Sequence, residues 1–465
     1  MSSLNSHPAP LRSDYVQAQA ATPPITRELP FGITTIVGGT NLRFSLSSPL
    51  LQSPCDTAIS WQELLRPGVE LSRDGKLEEL RTLAFKEIGR RFVSFIETHS
   101  APDPKGPPFS KLHTIIFSVA GIVNGDRVSL TNVPLGIVQK DLAQEILLAI
   151  NEELGRRGFE HCSPKTVAVV NDAVAGLMGE LRAGGLYRVQ NGAFIILGTG
   201  MGGIVCTGGA PYTNLDELGH RFLVRSSDHT VRILAGDTIA PYLSGQGEFA
   251  ALHAEESYAE HHLAGPWAAA RFVKTVSERG EVYAEALSQR LSEHEGFSEA
   301  RIRSGLQELG TLPWDELHLW GQRAPSDIVR CVNQLLFSPS VSEVVTTIRR
   351  AKSCSQNPHD VVTELSYHTW RGYFELLGRC GAALRQTLHS TGTPLERIVL
   401  GGGIGEACNH YPEIWKRHAY SIMRSRSGLP PGAMVFSPMR AEERENALTA
   451  ASINEATTSC ATVYH

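Results

Sequence analysis

Three short apolar runs in this chain each end in a cluster of glycines, and this recurrence constrains the fold more than any other feature. Ile33–Val37 runs into Gly38 and Gly39, Ala193–Leu197 into Gly198, Gly200, Gly202 and Gly203, and Arg397–Leu400 into Gly401, Gly402 and Gly403. Short apolar runs rich in β-branched residues read as buried strands, and glycine at their ends permits a tight turn. Two of the runs resume as strands, at Arg43–Leu46 and Ile204–Cys206. The two strand–turn–strand units, 33–46 and 193–206, resemble each other and predict a duplicated architecture. Glycine also lets amide N–H groups approach an anion, and successive free N–H groups form a cradle for phosphate. Thr40 and Thr199 add a hydroxyl to two of the turns. One such turn means little, since glycine turns are common between strands. There is no G-x-x-x-x-G-K-[ST] run, and no G-x-G-x-x-G opens a helix, so an anion site is expected from hairpins and not from one helix N-terminus.

At ~150 residues per domain, 465 residues suggest two or three domains. Residues 1–30, rich in Ser, Pro, Ala and Gln, read as a flexible tail. Apolar spacing predicts helices over 76–97 and 138–154, and a mostly helical stretch over 246–390. A strand is predicted at Thr114–Val119, followed by a hairpin around Asn124-Gly125-Asp126. A further strand, Thr166–Val170, leads through Asn171 and Asp172 into a small-residue helix, Ala173–Arg182. The net charge of −5 argues against nucleic acid as a partner. No apolar run approaches the ~20 residues of a membrane helix, so no membrane association is expected. The eight cysteines are scattered, without a Cys-x-x-Cys pair, and read as reduced thiols of a cytoplasmic protein.

Two polar clusters carry candidate chemistry. A carboxylate at Asp172, where a buried strand gives way to a helix, is rigidly held and suited to general-base work. The plainer reading is that Asn171 or Asp172 is a helix N-cap. Glu217 and His220, three residues apart, are able to bind neighbouring hydroxyls of a polyol, or are simply surface groups.

The order of these pieces resembles the bacterial-type glucokinases and wider ROK (repressor, open reading frame, kinase) sugar kinases, in the hexokinase/actin-like ATPase superfamily. It is carried by Val37-Gly38-Gly39-Thr40-Asn41-Leu42-Arg43, by Ser118–Gly125 with Leu130-Thr131-Asn132, by Val170–Ala173, Gly198–Gly203, Glu217–His220, Leu243-Ser244-Gly245 and Gly401–Ile404. The resemblance implies an α/β fold of two actin-like (ribonuclease H-like) domains, each with a central mixed five-stranded sheet, separated by a cleft and carrying helical insertions. The small domain would span 31–172, joined by a C-terminal helix at about 442–460. The large one would span 173–441, with an insertion at about 250–370. By this likeness Asp172 is the base that takes a proton from a sugar hydroxyl as it attacks ATP. Asn171, Glu217, His220 and Asn132 would bind sugar. Gly38, Gly39, Thr40 and Asn41, with Gly198, Thr199, Gly200, Gly202 and Gly203, would hold phosphates, and Gly401, Gly402 and Gly403 would face adenosine. Mg2+ would bridge the phosphates, and the resemblance allows a homodimer.

Two positions depart from that pattern. The first phosphate motif normally begins with Asp, where this chain has Ile36. A Glu four residues before the Ser-Gly at 244–245 is expected, and Ala240 stands there. These departures raise an alternative, a catalytically weak or inactive relative that binds sugar or nucleotide as a sensor. A sugar-responsive repressor of the same fold would need an N-terminal helix-turn-helix of ~60–80 residues, longer and less proline-rich than 1–30.

Overall fold

The structure is a computed structural model. It describes residues 31–37, 41–47, 55–60, 77–99, 112–124, 127–129, 140–159, 161, 163–212, 218–234, 256–292, 299–311, 326–337, 357–440, 443–444 and 447.

The first half builds one sheet. Strands β1 (Phe31–Val37), β2 (Asn41–Ser47) and β3 (Cys55–Ser60) form an antiparallel meander. Helix α1 (Leu77–His99) follows, then β4 (Leu112–Val119), which is buried along its whole length. Full burial matches its apolar run, as expected of a strand covered on both faces. A small sheet of β5 (Ile122–Asn124), β6 (Arg127–Ser129) and β7 (Lys140–Asp141) precedes helix α2 (Leu142–Arg156) and strand β8 (Thr166–Asn171). The five main strands lie in the order β3-β2-β1-β4-β8, with β4 parallel to both β1 and β8. Helices α1 and α2 cross closely at Gly89, where a methyl group would lie 2.5 Å from the Ala149 carbonyl oxygen. Phe92 of α1 meets Phe44 of β2 edge-on in the core beneath them.

Helix α3 (Asp172–Ala183) leaves the end of β8 and packs on a second sheet. That sheet opens with β9 (Gly192–Leu197), β10 (Met201–Thr207) and β11 (Ala210–Tyr212), again an antiparallel meander. A one-turn helix α4 (Leu218–Arg221) leads to a three-stranded sheet of β12 (Phe222–Arg225), β13 (Val231–Ile233) and β14 (Glu256–Tyr258). A helical layer comes next, made of α5 (Glu260–Leu263), α6 (Gly265–Ser277), α7 (Glu281–Ser292), α8 (Glu299–Thr311), α9 (Ser326–Phe337) and the 33-residue α10 (Pro358–Ser390). The chain then returns through β15 (Arg397–Gly401), helices α11 (Gly402–Asn409) and α12 (Glu413–Ser427), and β16 (Met434–Phe436). The strand order is β11-β10-β9-β15-β16, with β15 parallel to both β9 and β16. Both sheets thus have an antiparallel meander at one edge and two parallel strands added beside its first strand. Side chains of β9 alternate as a strand requires: Phe194 faces α3, while Ile195 and Leu197 join the core under the helical layer.

Two expectations need correction. The helix expected over 138–154 starts at Leu142, because Asp141 caps it by accepting from the Gln144 N–H at 2.9 Å, and Lys140 and Asp141 pair with β6. The stretch 246–390 is helical over most of its described length, but Glu256–Tyr258 is a strand paired with β12. At the glycine turn expected after Arg397–Leu400, Gly401 caps α11 and Gly402, at φ +77°, turns the chain directly from strand into helix. The tail 1–30, Gly38, Gly39, Thr40, Leu130–Asn132, Glu217, Ala240, Leu243–Gly245, and residues 442 and 448–460 of the expected C-terminal helix lie outside the described residues.

Candidate active site

Asn171 is the last residue of β8 and opposes Val119 at the end of β4. Its side chain is the cap of α3, with Oδ1 accepting from the Ala173 and Val174 N–H groups at 2.8 and 3.3 Å. Its Nδ2 donates to the Gly121 carbonyl at 2.9 Å. This settles which of the two polar residues caps the helix, and leaves Asp172 in the first turn with a different task. Asp172 Oδ1 accepts from the Ala173 N–H at 2.9 Å. Protein crowds its carboxyl, yet the residue keeps part of its surface open to solvent. Burial pushes its pKa up to about 6, against the lowering effect of the backbone N–H groups. A carboxylate whose pKa is pushed up to about 6 and that is anchored on the first turn of a helix has the properties of a general base.

The segment after β4, which bonds the end of β1, and the start of β10 lie beside this helix start. At the end of β1, the Val37 carbonyl accepts from the Ala120 N–H at 3.0 Å, one residue from the Gly121 held by Asn171. On the second sheet, a methyl group on Gly202 would lie 3.9 Å from the Ala173 Cβ, so the start of β10 runs beside the first turn of α3. The β9–β10 turn is closed by the Gly198 N–H donating to the Gly200 carbonyl at 2.9 Å, with Thr199 exposed at its tip. A methyl group on Gly402 would lie 2.6 Å from the Leu197 carbonyl, which seats the start of α11 against the residue preceding that turn.

His220 lies on α4, which is pressed onto the exit of the same turn: a methyl group on Gly219 would fall 1.8 Å from the Met201 carbonyl oxygen. Its Nε2 lies 2.9 Å from Glu260 Oε2, and Tyr258 packs edge-on against its ring at 5.6 Å. Burial raises the Glu260 pKa, but His220, the Met201 N–H and the charge of His261 together outweigh it and hold the carboxyl below its ordinary value. Glu260 was missed by sequence reasoning, although a signal existed. Glu260 stands four residues before Ala264-Gly265, the spacing sought at Ala240 before Ser244-Gly245, with Ala in place of Ser.

Ile36 stands opposite Arg43 of β2 and Ser118 of β4, half-buried and without any oxygen to offer a cation. Among the described residues no three His, Cys, Asp or Glu side chains are grouped as a metal site needs. The described donor set therefore does not fit a resident magnesium ion.

No protein-family model and no curated protein sequence matches the chain. Among solved structures it is similar to a ROK family glucokinase from Streptomyces griseus in complex with glucose and AMPPNP, at 15% identity and a TM-score of 0.45, over 90% of this chain and 98% of that one. It is also similar to a ROK hexokinase from Thermus thermophilus, at 15% identity and a TM-score of 0.43, over 92% of this chain and 100% of that one. A ROK family transcriptional regulator, a homologue of an E. coli protein, aligns at 16% identity and a TM-score of 0.43, over 91% of this chain and 78% of that one.

Proposed function

We propose that the chain is an ATP-dependent kinase of a sugar hydroxyl, built as two actin-like domains, 31–172 and 173–441, that close on the ligands. The observation carrying this reading is the position of Asp172. It starts the helix that links two sheets of like strand order, beside the glycine turn of the second sheet and the strand ends of the first. Asp172 accepts the proton of a substrate hydroxyl, the freed oxygen attacks the γ-phosphorus of ATP, and ADP leaves with the electrons of the broken P–O bond. Phosphoryl transfer needs little covalent help, so positioning and charge neutralisation do most of the work. The β9–β10 turn, Gly198–Gly203, faces the phosphates, with the Gly198 and Met201 N–H groups fixing its shape through Gly200 and Glu260, and the start of α11 faces adenosine. His220 and Glu260 read sugar hydroxyls, with Glu217 and Asn132 from the neighbouring loops. Asn171 acts mainly by fixing the first turn of α3. Mg2+ arrives with the nucleotide as part of the substrate. A hexose of the glucose type is the first substrate to try.

A coupled ADP-release assay with glucose and Mg·ATP tests this, with Asp172→Ala as the control. Sugar-dependent release that falls by about 10²–10⁴-fold in the variant supports it. Release that ignores both sugar and the substitution overturns it.

Ile36 favours a second reading, that of a weak or inactive relative that binds sugar or nucleotide as a sensor. Ligand-induced stabilisation without turnover would select it.

A further inference from the structure

A single short segment holds both ends of the β9–β10 glycine turn. At the start of the turn, the Gly198 carbonyl accepts from the Gly265 N–H at 2.7 Å. At its exit, the Met201 N–H donates to Glu260 Oε1 at 3.1 Å. The other oxygen of the same carboxylate, Oε2, is the one 2.9 Å from His220 Nε2. The Glu260 side chain is only 13% exposed, so these contacts are shielded from competing water. Gly265 leaves no slack, since a methyl group there would lie 3.1 Å from the Gly198 carbonyl oxygen and 2.9 Å from Asn333 Nδ2.

From this bracket we infer that Glu260 is a positioning residue that transmits sugar occupancy to the phosphate turn. One carboxylate oxygen belongs to the hydroxyl-reading pair and the other sets the orientation of an amide at the turn. A sugar that engages Glu260 and His220 must alter how that carboxylate sits, and the Met201 amide and the turn alter with it. Sugar and nucleotide therefore bind with positive coupling, which is reciprocal for the two ligands. The inference rests on the kinase reading, and adds to it a route by which the sugar site prepares the phosphate site.

The experiment is a binding cycle. Calorimetry gives the dissociation constant of the sugar with and without Mg·AMPPNP, and that of the nucleotide with and without sugar. The sugar is the best binder from glucose, mannose, N-acetylglucosamine and N-acetylmannosamine. The wild-type chain is expected to show a coupling factor of roughly 5–150-fold. Glu260→Ala should weaken the sugar and also bring the factor to about 1. His220→Ala should weaken the sugar while keeping most of the coupling, because Glu260 still joins sugar to turn. Gly265→Ala should weaken the nucleotide alone, and it carries the test if Glu260→Ala does not fold. Equal coupling in wild type and Glu260→Ala overturns the inference while leaving the kinase reading intact, as does Gly265→Ala binding nucleotide like wild type. Absence of binding by every sugar and by nucleotide in the wild-type chain removes the kinase reading and the inference together.

Discussion

At Asp172 the proposed role as a base and the stability of the fold pull in opposite directions. Burial raises its pKa from the ordinary carboxylate range to about 6, so the ionised form needed for proton abstraction is the form the fold disfavours. Because the folded-state value lies above the unfolded one, the protein is most stable while Asp172 is protonated, and loses stability as pH rises from about 4 through about 6. Asp172→Asn should therefore be more stable than the wild type at pH 8, by about 3 kcal/mol if two pKa units are at stake. The difference should vanish near pH 4. Urea denaturation at the two pH values measures it, and an equal stability at pH 8 contradicts it. In the wild type, kcat/KM for phosphoryl transfer should fall tenfold per pH unit below about 6. Ile36 poses the complementary case, a missing carboxylate. Ile36→Asp would place an oxygen ligand at the end of β1, opposite Arg43. It should raise kcat by tenfold or more, equivalent to about 1.4 kcal/mol of barrier. A rate unchanged or lowered would show that the turn works without that group.

At the scale of elements, α3 carries the proposed base at one end and packs closely along its length. A methyl group on Gly176 would lie 2.2 Å from the ring of Phe194, and one on Gly179 would lie 2.3 Å from the Arg444 carbonyl oxygen. The small residues after Asp172 were legible in the sequence as a helix made for close contact, and the structure supplies the contacts. Asn171→Ala should cost about 1–2 kcal/mol through the lost cap, and kcat should fall with it because the Asp172 turn loosens. A full loss of stability with an unchanged kcat would separate the cap from catalysis. Elements defined by local chemistry were readable: the paired strands around glycine turns, the apolar face of α1, the strand leading into Asp172. Glu260 was not. Its helix is a single turn, too short for a periodic signal, and the Ser-Gly at 244–245 offered a closer match to the same spacing. The start of α11 was left open for a related reason. A glycine run after a strand suits a hairpin or a helix N-terminus equally, and the packing of the next segment decides between them.

Across the whole molecule, the shared strand order of the two sheets was only hinted at by the two similar glycine units. Strand order depends on contacts between segments as distant as β9 and β15, which no local pattern records. A buried arginine near the last described residues shows how such distant segments are locked together. Arg444, 3% exposed, donates to the Met439 carbonyl at 2.6 Å and to Glu406 of α11 at 3.1 Å, and its guanidinium lies over the ring of Phe194. It also donates to Ser437 Oγ at 3.0 Å, and Glu180 of α3, fully buried, lies 3.6 Å away. One cation thus ties the helix bearing the proposed base to the helix proposed to face adenosine. Burial raises the Glu180 pKa, while Ser437, the Gly185 N–H and Arg444 lower it, and the net result lies above its ordinary value. Arg444→Met leaves the Glu180 carboxylate buried without its cation, and should cost about 3–5 kcal/mol at neutral pH. The cost should shrink as pH falls, since a protonated Glu180 no longer needs the charge. Glu180→Gln placed on top of Arg444→Met should restore part of the loss, as expected of two groups in one network. Urea titrations of the single and double variants at pH 7.5 and pH 5 decide this, and a loss independent of pH and of the second substitution would mean that Arg444 acts by packing over Phe194 alone.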